Sequence, residues 1–383
     1  MADRSILGAA DVTDAELTEL VAAWLGQDPA GVMLTTSSAE EFPYDLEAIT
    51  TAGRYWVAGT VTTPTGPEPF RFFVKHVQSW SRSPLFENVP SEHRELAEST
   101  VPWRTEPLIY RSDLRDRLPG GLTMPRAVAV RDLDEKSAAI WLEPVDVVEH
   151  DWSIDDLARA AYLLGRLAAN PRVRELSGLG ERERTYSTRV YLEGRLTVQI
   201  LPMVYADDIW QHPIIAPAFD PALRDRLRSA ADRVRAFVNE LEGLPLLAAH
   251  GDACTNNLLV QRDSDDLVLI DYGFWSTQPV GFDLSQLLLG DVQLGRRAAT
   301  CLWRTEEACL PAYVEGLRKE GCEIASAQVR RAHALLMLIY TGLSSFPLEL
   351  LPHEPTPERQ RIAAERATMA RFILDLVDAT EPA

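Results

Sequence analysis

The period of apolar and polar positions changes twice along the chain. Between Thr13 and Gly26, Leu17, Leu20, Val21 and Leu25 fall on one side of a 3.6-residue repeat. Thr13 stands three residues before Glu16, so a capped helix is expected there. From about residue 46 to 77 the period becomes that of strands. Residues 48–50, 56–61 and 70–77 read as a meander, with turns at 51–54 and in the Pro/Gly-rich 64–69. A helical stretch broken by Pro102 and Pro107 follows over 91–118, and two further strands are expected at 126–132 and 137–142.

Beyond Asp151 the helical period dominates. Ser153 caps a stretch in which Ile154, Leu157, Ala161, Leu164 and Ala168 keep helical spacing. Asp220-Pro221 opens another helix, closing at Gly243, and Thr356 caps a last one ending near Asp378. Residues 187–217 show no clear period and read as irregular. Strands first and helices afterwards predict an α+β fold in two lobes, divided as residues 1–143 and 144–383.

Composition narrows the function classes. With 46% hydrophobic and 25% charged residues, a well-packed globular core is expected. The formal net charge of −19 opposes a nucleic-acid partner, which needs basic patches, and leans slightly toward a cationic substrate. Cys254, Cys301, Cys309 and Cys322 have no CxxC spacing, as expected of reduced thiols in a cytoplasmic protein. No apolar run approaches the roughly 18 residues of a membrane span, and no secretion signal opens the sequence.

One exception to the helical second half carries the chemistry. His250-Gly251-Asp252 leads through Asn257 into the apolar run Leu258-Leu259-Val260, and a second run ends in Asp271-Tyr272-Gly273. A hairpin would then present a carboxylate and an amide at its entrance and a second carboxylate at its exit. Hard oxygen donors on a rigid ribbon suit Mg²⁺ bound to a nucleotide phosphate.

This pair of motifs resembles the catalytic loop and metal-binding D-x-G of the eukaryotic-like kinases. With Gly251 after the His, it is most similar to the aminoglycoside phosphotransferase-like family of small-molecule kinases. The resemblance spans roughly residues 45–340 and implies a bilobal protein-kinase-like fold, with an antiparallel-sheet first lobe and a mainly helical second lobe. It implies an ATP- and Mg²⁺-dependent transfer of phosphate to a hydroxyl of a small molecule, such as an aminoglycoside-like antibiotic, an amino sugar or a sugar. GTP is an alternative donor, and the protein is expected as a monomer or homodimer.

By that resemblance Asp252 takes the proton of the attacking hydroxyl, and Asn257 and Asp271 hold Mg²⁺. Lys75, on the third strand, reaches the phosphates. Glu95, Glu98 or Glu106 would steady Lys75, with Glu106 favoured because Pro107 suits a first helical position. The backbone of Glu143 and Val145 would meet the nucleotide base. His250 braces the loop, and Asp283 bonds its backbone. No G-x-G-x-x-G covers the phosphates, a departure from the protein kinases that leaves residues 51–54 as the candidate turn. Asp207, Asp208, Glu306 and Glu307 are candidates for amino groups of an acceptor, and Trp210, Trp275 and Trp303 for its sugar faces, Trp275 best placed. Two rival readings stand beside this one: a kinase-like binding module without catalysis, and a hydrolase with one metal among His250, Asp252 and Asp271.

Overall fold

A computed structural model describes residues 3–44, 48–101, 103–180 and 186–382. Helix α1, Asp14–Leu25, begins as expected: the Thr13 side chain accepts from the Glu16 N–H at 3.2 Å, and the Glu16 carboxylate accepts from the Thr13 N–H at 2.8 Å. Gly26 ends it in the left-handed region, φ 67°.

The strands that follow differ in position from the sequence pattern. They are β1 (Met33–Glu41), β2 (Thr51–Thr63) and β3 (Gly66–Gln78). Strand β1 was not expected. It is an edge strand with one buried residue, Ser37, so it carries no apolar alternation to read. Ile49 and Thr50 form a turn rather than a strand, and 51–54 lie inside β2. The turn before β2 is therefore 42–50, of which residues 45–47 fall outside the described residues.

Two short helical segments, Arg94–Thr100 and α2 (Thr105–Arg111), lead to β4 (Leu122–Thr123), β5 (Ala127–Asp134) and β6 (Ser137–Leu142). Pro102 falls outside the described residues. The main sheet runs β1-β2-β3-β6-β5, antiparallel throughout. Alternation along β3 decides what faces the cleft. Phe70, Phe72 and Val74 are buried with Leu17 and Val21 of α1, which leaves Phe73, Lys75 and Val77 on the opposite side.

The second lobe is mainly helical, built on α3 (Ile154–Ala169), α4 (Pro221–Glu242), α5 (Phe282–Gln293), α6 (Leu302–Lys319), α7 (Ser326–Tyr340) and α8 (Pro357–Ala379). The caps Ser153, Asp220 and Thr356 are those expected. Helices α3 and α6 cross backbone to backbone. A Cβ on Gly165 would stand 2.2 Å from the Tyr313 carbonyl oxygen, and one on Gly316 would stand 2.1 Å from that of Tyr162. The stretch taken as irregular is helical in pieces: Tyr186–Tyr191, a wide π-type segment Leu192–Ile200, Leu201–Tyr205 and Asp207–Gln211. Its breaks at Gly194 and Pro202 are too closely spaced for a helical period to show.

Strands β7 (Leu246–Ala249) and β10 (Ser276–Pro279) pair antiparallel and bracket the motif region. Between them β8 (Leu258–Val260) and β9 (Leu267–Leu269) form the expected hairpin, with Leu258 opposite Leu269. Strand β4 joins β9 in parallel, tying the hairpin to the chain just before β5. Among the described residues no helix is long and apolar enough to cross a membrane.

Candidate active site

Strand β7 delivers the loop from His250 to Asn257, and buried groups fix its course. His250 is wholly buried, its Nε2 lies 3.0 Å from the Ile270 carbonyl oxygen, and its ring packs against Tyr272. Burial pushes its pKa down to about 4, so the ring is neutral. The N–H groups of His250 and Gly251 donate to the two oxygens of Asp283, at 2.8 and 2.9 Å. Gly281 caps α5, so Asp283 supports the loop without being the cap residue. Gly251 has φ 88°, and a Cβ there would sit 2.2 Å from the Phe274 carbonyl oxygen, so both backbone and space require glycine.

The loop presents Asp252 less openly than the sequence suggested. Its side chain is largely enclosed, and burial, reinforced by Asp271, pushes its carboxyl up to about 6. The Asn257 amide nitrogen donates to the Asp252 carbonyl oxygen at 2.9 Å and to its carboxylate at 3.0 Å. That leaves the Asn257 side-chain oxygen for another partner. Five residues separate the two because the turn Thr255–Asn257 folds back on the loop.

Two residues beyond strand β9 stands Asp271, which adopts φ 64° and ψ 68°, a left-handed conformation costly for a residue with a Cβ. About a third of its side chain stays open to the cleft, 34%. Lys75 Nζ lies 2.6 Å from Glu106 and 2.9 Å from Asp271. Burial alone would lower the Lys75 pKa; Asp271 and Glu106 together outweigh it and hold the ammonium charged. Burial and the Asp271 charge push Glu106 up to about 7 against the pull of Lys75.

Glu106 sits second in α2, where Thr105, Pro107, Ile109 and Tyr110 are buried around it. Pro107 is the third helical residue, not the first. Glu98 is engaged elsewhere, accepting from Ser79, Ser81 and Lys136, each at 2.7 Å, and Glu95 is exposed.

Other expectations need correction. The Glu143 N–H donates to the Arg126 carbonyl oxygen at 3.0 Å, and its carboxylate accepts from the Arg126 N–H, so Glu143 is occupied by the sheet rather than open to a base. The Val145 carbonyl accepts from the Val147 N–H at 3.0 Å. Trp275 is wholly buried and donates to the Leu176 carbonyl; Trp210 is buried and donates to Val204. Trp303 packs edge-on against Phe372. Glu306 is buried in a two-point pair with Arg330, and Asp207 pairs with Arg228. The hydrolase reading loses its metal cage, because both ring nitrogens of buried His250 are engaged, Nε2 with the Ile270 carbonyl oxygen and Nδ1 accepting from the Asp252 N–H at 3.4 Å. Among the described residues no three His, Cys, Asp or Glu side chains converge as ligands. The four cysteines are free.

Sequence reasoning missed two cations. Arg54, expected in a turn, stands opposite Lys75 in the β2–β3 register, and its charge lowers the pKa of Glu106 and Asp271. Arg195 lies on the π-type segment and lines the cavity beside Asp252. Only placing β1 correctly could have moved Arg54 into the sheet, and nothing local marks Arg195.

The chain matches the phosphotransferase enzyme family over residues 113–318, more than half its length, and belongs to that family. It is a phosphotransferase with a small-molecule hydroxyl group as acceptor, on a bilobal protein-kinase-like fold. Lys75 and Glu106 precede the matched stretch; Asp252, Asn257, Asp271 and Asp283 lie within it. Among solved structures, a spectinomycin phosphotransferase bound to ADP and spectinomycin is 11% identical, covering 96% of this chain and 98% of its own at TM-score 0.45. An aminoglycoside phosphotransferase from Alicyclobacillus acidocaldarius is 14% identical, covering 84% and 89% at 0.49. An ethanolamine kinase from Plasmodium vivax is 12% identical, covering 92% and 85% at 0.44. No curated protein matches the chain. The family assignment rests on the matched residues 113–318, not on these structures.

Proposed function

We propose that the protein transfers the γ-phosphoryl group of ATP to a hydroxyl of a small molecule, with Asp252 as the group that accepts the hydroxyl proton. The observation that carries this reading is the meeting of two arrangements in one cleft. Lys75 is held by Glu106 and Asp271, and Asp252 is held by Asn257. Phosphoryl transfer asks a protein mainly for positioning and charge, and these residues supply both.

The donor set fits a hard cation. Asp271 offers a partly open carboxylate, and the Asn257 side chain, with its nitrogen turned to Asp252, offers an oxygen. Mg²⁺ held there would neutralise charge on the nucleotide phosphates. Lys75, steadied by Glu106, meets the phosphate chain, and Arg54 adds positive charge on the same sheet face. Val145, in the connection between the lobes, is the remaining backbone candidate for the nucleotide base. Asp252, oriented by the Asn257 amide, hydrogen-bonds the acceptor hydroxyl and removes its proton as the phosphoryl group transfers. Retention of Lys75, Asp252, Asn257 and Asp271 in working contact opposes the reading as a binding module without catalysis.

The test is an ADP-release screen with MgATP across aminoglycosides, macrolides, amino sugars, sugars and amino alcohols. Acceptor-dependent ADP release is expected. No release with any of them, together with no stabilisation of the protein by MgATP, would contradict the proposal.

A further inference from the structure

A cavity of about 350 Å³ opens directly beside Asp252, and its walls bear on what the acceptor is. One side is aromatic: Tyr191 and Tyr340 stack with ring centroids 4.5 Å apart, and Phe282 meets Tyr340 edge-on at 5.1 Å. Gln286 and Gln293 add uncharged amides. Among the described residues, the charged members of the wall are Asp252 itself and Arg195. The Arg195 guanidinium is exposed and, among the described residues, forms no hydrogen bond or ion pair.

This composition runs against the whole-chain charge of −19, which leaned toward a cationic substrate. A polyamine needs several carboxylates to replace its hydration, since each buried ammonium left unpaired is costly. Apart from Asp252, no carboxylate is among the described residues of the wall, and three of the helical lobe are paired outside it: Asp207 with Arg228, Glu306 with Arg330 and Glu240 with Arg331. Removal of a proton by Asp252 also works best if no acceptor ammonium competes for its charge. A planar guanidinium without a partner is, by contrast, suited to a carboxylate or phosphate in two-point contact.

Resting on the kinase reading above, we propose that the acceptor is an anionic hydroxyl compound with a flat apolar face. Its carboxylate or phosphate pairs with Arg195, and its apolar face lies on the Tyr191–Tyr340–Phe282 wall. Arg195 is a specificity residue, not a catalytic one. The segment bearing it, Leu192–Ile200, is wound more widely than an α-helix and is broken at Gly194 (φ −87°, ψ −107°), and the residue after that break is Arg195.

The test compares phenyl β-glucuronide, phenyl β-glucoside and phenyl β-glucosaminide, which share an aromatic face and sugar hydroxyls and differ in charge. Each is titrated calorimetrically into the full chain, wild type and Arg195→Gln, with thermal melting checked for both. The expected affinity order is glucuronide, glucoside, glucosaminide. Arg195→Gln should reduce the glucuronide-to-glucoside affinity ratio by at least about tenfold without changing the melting temperature. Any other order, no binding of the glucuronide, or equal losses for all three overturns the proposal. Binding in the expected order, with no ADP release for any acceptor of the screen above and no stabilisation by MgATP, would leave this inference standing and fail the kinase reading. ADP release that favours the glucosaminide would do the reverse.

Discussion

Asp252 stands between two walls built on different principles. On the phosphate side, Lys75 is joined to Glu106 and Asp271 at 2.6 and 2.9 Å and Asn257 to Asp252 at 3.0 Å, each held on a strand, a tight turn or a helix start. On the proposed acceptor side the cavity is lined by aromatic rings and amides from α5, α7 and the helical piece Tyr186–Tyr191, with Arg195 of the π-type segment in no hydrogen bond or ion pair among the described residues. Chemistry common to every turnover demands one geometry, so it is over-determined by charge and hydrogen bonds. On the proposed reading, acceptor recognition falls to helix faces whose residues can change without disturbing that geometry.

The sharpest way to break the contrast is to remove Asp271, the proposed cation ligand on the phosphate side. Asp271→Ala should abolish turnover and the thermal stabilisation given by MgATP; equal stabilisation in variant and wild type would place the metal elsewhere. Lys75→Met comes next, because it strands two carboxylates in the cleft. A loss of about 3–5 kcal/mol in a denaturant unfolding curve is expected. Adding Glu106→Gln should restore part of it, since one of the two stranded charges then goes.

The pH profile is a milder probe. Asp252 is raised to about 6 and must be ionised to accept a proton. kcat/KM should therefore be level above pH 6 and fall about tenfold per unit below it. Part of that rise comes from Asp271, whose charge a bound cation offsets, so the acid limb of kcat should lie at lower pH. Asp207→Ala, at an exposed carboxylate paired with Arg228 and outside the cavity wall, should change the acceptor KM by less than about twofold.

The same contrast explains what was legible beforehand. Asp252, Asn257 and Asp271 lie within 20 residues on a hairpin, where spacing and strand period report geometry directly. Lys75 was readable from its place in the third expected strand, a run that the fold keeps as β3, and the caps at Thr13, Ser153, Asp220 and Thr356 because capping is local. Strand β1 and the shifted start of β2 were not readable, since an exposed edge strand of Met-Leu-Thr-Thr-Ser-Ser buries almost nothing. Its omission misplaced Arg54. Glu143 was misassigned because its side-chain and backbone bonds to Arg126 are a property of β5 and β6 together. Trp275 shows the limit of nearness in sequence: although it follows the Asp271-Tyr272-Gly273 motif closely, it turns into the core to reach Leu176.

The central claim is that Asp252 accepts the proton of the acceptor hydroxyl. Its most direct test is the rate of ADP release from MgATP by wild type and Asp252→Asn, with the acceptor found in the screen and at saturating MgATP. Loss of about 10²–10⁴-fold in kcat is predicted. A near-normal rate in Asp252→Asn would contradict the account.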